Sequence, residues 1–112
     1  FLMNGQELAT AVQYHAAVIF LVFDNGMYGT IRMHQEREYP GRTIGTGLAN
    51  PDFVALARAY GALGFHVTRT VDFAQAFYEA EAAKRPALIH IHVDPEAISP
   101  TATLSGLRAA RK

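Results

Sequence analysis

The chain has 112 residues, 50% of them hydrophobic, and its ten Lys and Arg balance ten Asp and Glu. That length suits one small domain with a modest core, and the even charge balance provides no field to draw nucleic acid or an anionic membrane. With no cysteine, disulfides and thiolate sites are excluded and a reducing, cytoplasmic compartment is the default expectation.

The opening Phe1-Leu2-Met3-Asn4 has no basic leader and no initiating Met, as expected of a piece cut from a longer protein. Asn4 followed by Glu7 has the form of a capping box and predicts a helix over 5–14, with Leu8, Ala11, Val12 and His15 on one stripe. The apolar run 16–23 is rich in β-branched and aromatic residues and too short to cross a bilayer. It predicts a strand buried on both faces of a parallel sheet. The run stops at Asp24-Asn25-Gly26, a turn signal, and a second helix is expected over about 28–38. That helix carries Arg32, His34, Gln35, Glu36, Arg37 and Glu38, which read as a solvated face with Arg-Glu pairs or as the lining of a site entrance.

Residues 42–50 are rich in Gly and Thr and read as a surface loop. Asn50 is expected to cap a third helix with Pro51 at its first position, Phe53, Leu56, Ala57 and Tyr60 on its apolar face, and Gly61 at its C-terminal end. A short strand over 65–69 follows. Asp72 is expected to cap a helix reaching about residue 84, with Phe73, Ala76, Phe77 and Ala80 inward. Pro86 breaks it, 87–93 forms the third strand, and Asp94-Pro95 ends that strand. Residues 96–112 read as a partly ordered tail with Arg108, Arg111 and Lys112 in solvent, which divides the chain into a domain over 1–95 and a tail over 96–112. The order α-β-α-α-β-α-β predicts a parallel three-stranded unit with right-handed crossovers and one uncovered flank.

Chemistry is expected first at the Asp24-Asn25-Gly26 corner, because ligands of open α/β sheets bind beyond the carboxyl ends of strands. Asn25 offers a neutral carboxamide oxygen, the turn exposes carbonyls, and the helix start supplies unpaired amides at a positive dipole end. Together these suit a divalent cation bound to a diphosphate. The plainer alternative is a turn, since Asn-Gly is a common turn dipeptide. Tyr28 is expected either against a ligand or buried as a structural residue. His90 and His92 share one strand face, where a His-x-His pair serves either as zinc ligands or as packed rings; the spacing offers no third ligand of Cys, Asp or Glu type.

The stretch Met3-Asn4-Gly5-Gln6-Glu7-Leu8-Ala9-Thr10-Ala11, then the apolar strand, then Asp24-Asn25-Gly26-Met27-Tyr28-Gly29, resembles the C-terminal cofactor-binding domain of thiamine diphosphate-dependent enzymes of the acetolactate synthase and pyruvate decarboxylase superfamily. The resemblance runs on through Pro51 to Gly61 and to Asp94-Pro95. It implies the second half of a three-layer α/β/α domain with a parallel sheet. In that family a Gly-Asp-Gly stands just before the residues corresponding to Phe1 and Leu2, and an Asn pair closes the motif; here Asp24 and Asn25 stand at that pair.

The resemblance further implies that Asn25 gives Mg2+ its side-chain oxygen, that Met27 gives its backbone carbonyl, and that amides of Gly26, Met27, Tyr28 and Gly29 face the diphosphate. His34 stands where acetohydroxyacid synthases carry Trp, so the reaction branch stays open. The expected activity of the parent enzyme is decarboxylation of a 2-keto acid or carbon-carbon ligation. Its expected partners are the parent chain's N-terminal domains and a second subunit in a homodimer or tetramer, with the fragment inactive alone. The alternative is a non-catalytic, flavodoxin-like or regulatory α/β module.

Overall fold

The computed structural model describes residues 1–110. Its contacts divide into two compact units, one formed by residues 1–23 and 51–92 and the other by 24–50 and 93–112. Arg111 and Lys112, expected in solvent, lie outside the described residues.

The first unit is a three-layer sandwich. Strands β1 (Ile19–Asp24), β2 (Leu63–Val67) and β3 (Ala87–His92) form one sheet in the order β1-β3-β2. β2 and β3 run parallel with Leu63 opposite Ala87 and Val67 opposite Ile91. Because side chains alternate along a strand, neighbouring residues Leu88 and Ile89 enter opposite layers, and both are completely buried. On the Leu88 face, α1 (Glu7–Gln13) and α3 (Phe53–Ala59) contribute Leu8, Phe53 and Ala57 to a core with Val22 and Ala62. On the Ile89 face, α4 (Thr70–Ala82) packs Ala80, Phe73 and Ala76 over Val67, Ala87 and Ile91. Each fully buried Leu or Ile contributes about 1.5–3 kcal/mol relative to exposure. The parallel sheet and layering expected from the sequence are therefore present.

Several local expectations are corrected. The capping box does not form: Gln6 occupies the cap of α1 without a side-chain hydrogen bond, and the Glu7 amide instead donates to the Asn4 carbonyl. His15 leaves the helical stripe, because its backbone turns to φ +52° just beyond α1. β1 is not buried on both faces. Val22 is buried, while Leu21 and Phe23 are 40% and 65% exposed, because β1 lies at a sheet edge and its second face opens into a groove between Ile19, Leu21, Phe77 and Lys84.

Asp52, and not Asn50, caps α3, with its carboxylate accepting from the Ala55 amide at 2.9 Å. Pro51 accordingly precedes the cap. Gly61 follows α3 at φ +87°, the left-handed conformation that a residue beyond a helix end needs. Asp72 lies inside α4, where both its oxygens accept from the exposed Arg69 guanidinium at 2.7 and 2.8 Å. Arg69 takes the cap position, where its side chain accepts no capping bond from the helix amides.

The second unit contains α2 (Gly29–Glu38) and three elements in the segment expected to be a loose tail: β4 (Ala97–Ser99), β5 (Ala102–Thr103) and α5 (Leu104–Ala109). β4 and β5 pair antiparallel, and Thr103 caps α5 by accepting from the Gly106 amide. Arg108 is only partly solvated and is paired. Its guanidinium donates to both oxygens of Glu36, at 2.5 and 2.7 Å, while Arg32 donates at 2.9 Å from one turn earlier on α2. Glu36 is completely buried as a result, so the solvated-face reading of α2 does not hold at this residue, while the Arg-Glu pairing expected with it is present between Arg32 and Glu36. Among the described residues no helix is long and apolar enough to cross a membrane.

Candidate cofactor corner

The corner begins at the last residue of β1. Asp24 is buried, at 8% exposure, and its Oδ1 accepts from the Gly26 amide at 2.7 Å and from Asn50 Nδ2 at 2.8 Å. Its carbonyl accepts from the Val93 amide at 2.9 Å. These bonds tie the strand end, the turn and the end of the 39–50 loop together at a single carboxylate. Gly26 then turns the chain at φ +68°, which L side chains adopt with strain.

Asn25 is half-buried and is not turned into the core. Its Oδ1 accepts one long bond, 3.2 Å, from the Met27 amide. A carboxamide oxygen has a second lone pair, so this oxygen retains acceptor capacity. The other end of the amide lies over Gly29, where an added Cβ would come within 2.7 Å of Asn25 Nδ2. The absence of a side chain at Gly29 thus sets the room in which the Asn25 carboxamide is held.

Residues 26–28 are further held by the loop. Met27 bridges Gly47 in antiparallel fashion, the Tyr28 amide donates to Thr46, and the Leu48 amide donates to Gly26. Gln35 anchors the same loop from α2, donating to the Ile44 carbonyl at 2.9 Å and accepting from its amide at 3.1 Å. Tyr28 is 52% exposed, so its reading as a buried structural residue is incorrect. It occupies the cap of α2 without a side-chain hydrogen bond, and the first turn of α2 has no acidic residue. The amides at this helix start therefore have no side-chain acceptor from the cap, and their positive dipole end has no neighbouring carboxylate in the first turn.

The donor set fits a hard cation carrying an anion. A carboxamide oxygen and a nearby backbone carbonyl are neutral oxygen ligands of the kind magnesium takes when phosphate oxygens supply the charge. The helix start offers amides to such an anion. All five residues expected at the site, Asn25, Gly26, Met27, Tyr28 and Gly29, fall in this one turn and helix start. Sequence reasoning read Asp24 as a turn residue, Thr46 as part of a loop and Asn50 as a helix cap, and did not assign the hydrogen bonds they make here. The Asp-x-Gly spacing carried a signal for the first, whereas nothing local marked the other two.

The chain matches the family model described as "Thiamine pyrophosphate enzyme, C-terminal TPP binding domain" over residues 1–91. It is 35% identical over 96 residues to a probable acetolactate synthase large subunit of Methanocaldococcus jannaschii, covering 85% of this chain and 16% of that protein. It is 34% identical over 95 residues to the acetolactate synthase isozyme 2 large subunit of Escherichia coli, covering 84% and 17%. Among solved structures, the thiamine diphosphate-dependent 4-hydroxybenzoylformate decarboxylase of Rhodococcus jostii superposes with a TM-score of 0.74 at 35% identity, over 81% of this chain and 17% of that one. The chain thus spans about one sixth of the length of these relatives. Layering, the strand-end turn and the match over residues 1–91 agree: the chain belongs to the thiamine pyrophosphate enzymes and corresponds to their C-terminal TPP-binding domain.

Proposed function

We propose that this chain is the diphosphate- and magnesium-holding part of an enzyme acting on 2-keto acids by decarboxylation or carbon-carbon ligation. The carrying observation is the Asn25 carboxamide, whose oxygen has one long bond and whose nitrogen lies over Gly29. In this reading Asn25 Oδ1 and the Met27 carbonyl bind Mg2+, and the amides of Gly26 to Gly29 orient and neutralise the diphosphate. When bound, thiamine diphosphate supplies a nucleophilic carbon and an electron sink for breaking or making the bond beside a keto carbonyl. The residues of this chain contribute positioning and charge stabilisation and no acid or base.

Support for the reaction class comes from relatives named for acetolactate synthesis and for decarboxylation. The remaining domains of the parent enzyme and a second subunit complete the site. The exposed Val18, Leu21 and Phe23 at the β1 edge support packing of further protein there.

The test is titration of the complete parent protein with thiamine diphosphate, with and without Mg2+. Asn25→Ala is expected to weaken Mg2+-dependent binding by about 100-fold, or about 2.7 kcal/mol. Unchanged binding by that variant overturns the assignment.

A further inference from the structure

Three imidazoles meet in the first unit, at residues to which the proposed function gives no role. His66 on β2 stands in register with His90 on the parallel neighbour β3, and His92 follows two residues later on the same face. The sequence offered only the His90 and His92 pair; strand pairing supplies the third member. Ring centroids are 4.4 Å apart for His90 and His92, 4.8 Å for His66 and His92, and 5.2 Å for His66 and His90. One ring nitrogen from each lies within 4.8 Å of the other two.

The cluster is anchored on one side and open on the other. His90 is buried, and its ring meets Phe53 edge to face at 5.0 Å, whereas His66 and His92 are exposed. A hydrated ion can therefore approach from solvent while the inner ring stays fixed. The Asp52 carboxylate, which accepts from the Ala55 amide at 2.9 Å, belongs to the residue just before Phe53, whose ring meets His90.

We propose that His66, His90 and His92 form a binding site for a divalent transition-metal ion, zinc or a first-row neighbour, which fastens the ends of β2 and β3 together. Imidazole nitrogens suit zinc, nickel and copper, while magnesium prefers oxygen. Three His ligands with a water in the fourth position make an established tetrahedral set. Zinc–nitrogen bonds of about 2.0–2.1 Å place the nitrogens roughly 3.4 Å apart, so closure of the present spacing needs only side-chain rotation of the two exposed rings.

The proposal is independent of the cofactor assignment, and its test keeps the two apart. The full chain, stripped of metal and held in excess Mg2+, is titrated with Co2+ by visible absorption and with Zn2+ against a chelating dye. Saturable uptake of one equivalent with a tetrahedral cobalt spectrum is expected. His66→Asn and His92→Asn, both at exposed positions, are each expected to lower zinc affinity by more than about 100-fold, beyond the usual loss on removing an outer-sphere partner. Absence of saturable uptake by the wild-type chain overturns the proposal and leaves the rings as a packed cluster. Unchanged affinity in both variants overturns it as well.

Discussion

Gly29 leaves no side chain at a point where one would meet Asn25 Nδ2 at 2.7 Å. The Asn25 carboxamide is the end of a short, flexible side chain, so Gly29→Ala displaces that group and leaves the backbone in place. The substitution is expected to be near neutral for folding, since Ala is also the better helix former. It should weaken Mg2+-dependent thiamine diphosphate binding by about tenfold, near 1.4 kcal/mol. Calorimetric titration of the parent protein alongside a melting curve separates the two effects. Asp24→Ala should behave in the opposite way. It leaves the Gly26 amide and the Asn50 carboxamide without their shared acceptor, and a loss of about 1–3 kcal/mol is expected in urea unfolding. The turn at Asn25-Gly26 was legible because its residues are adjacent and a positive φ selects Gly. The Asn50 bond to Asp24 was not legible, because it crosses 26 positions of chain.

Between elements, an ion pair of Glu36 with Arg108 joins α2 to α5. The Arg108 guanidinium, then the Gly41 amide and Arg32, hold Glu36 down to about 2 from an ordinary 4.5, against the opposing effect of burial. A carboxyl depressed on folding contributes its full stability above about pH 4.5 and loses it as the pH falls through about 2. Glu36→Gln is therefore expected to flatten the acid limb of the stability profile between those values. It should also cost about 1–3 kcal/mol at neutral pH, because Arg108 and Arg32, both partly exposed, lose their charged acceptor. Urea midpoints measured across the acid range check both expectations. At the junction of α3 and β2, an added Cβ on Gly64 would come within 2.9 Å of the Val54 carbonyl, a backbone atom that cannot rotate away. Gly64→Ala should thus push α3 off the sheet and destabilise the chain by about 1–3 kcal/mol, as overpacking does. Thermal unfolding measures it. The sequence located α2 and α3 but not α5, and the closeness of each helix to its neighbours depended on packing.

Over the whole molecule, an apolar run that read as buried on both faces proved to be an edge strand with Leu21 and Phe23 exposed on one side. The helix and strand types between residues 7 and 92 and the strand-end turn were readable because alternation and turn chemistry are relations among near neighbours, whereas the three helix caps expected at Asn4, Asn50 and Asp72 fell on other residues. Family resemblance was readable for a similar reason: its motif is an ordered series along one segment. Other features arise between residues far apart in the chain, and only folding brings them together. Glu36 meets Arg108 across 72 positions, and His66 joins His90 and His92 because β2 lies in parallel register on β3. Spacing along the chain sets what a segment can become, but strand order and helix packing choose which distant side chains share a contact.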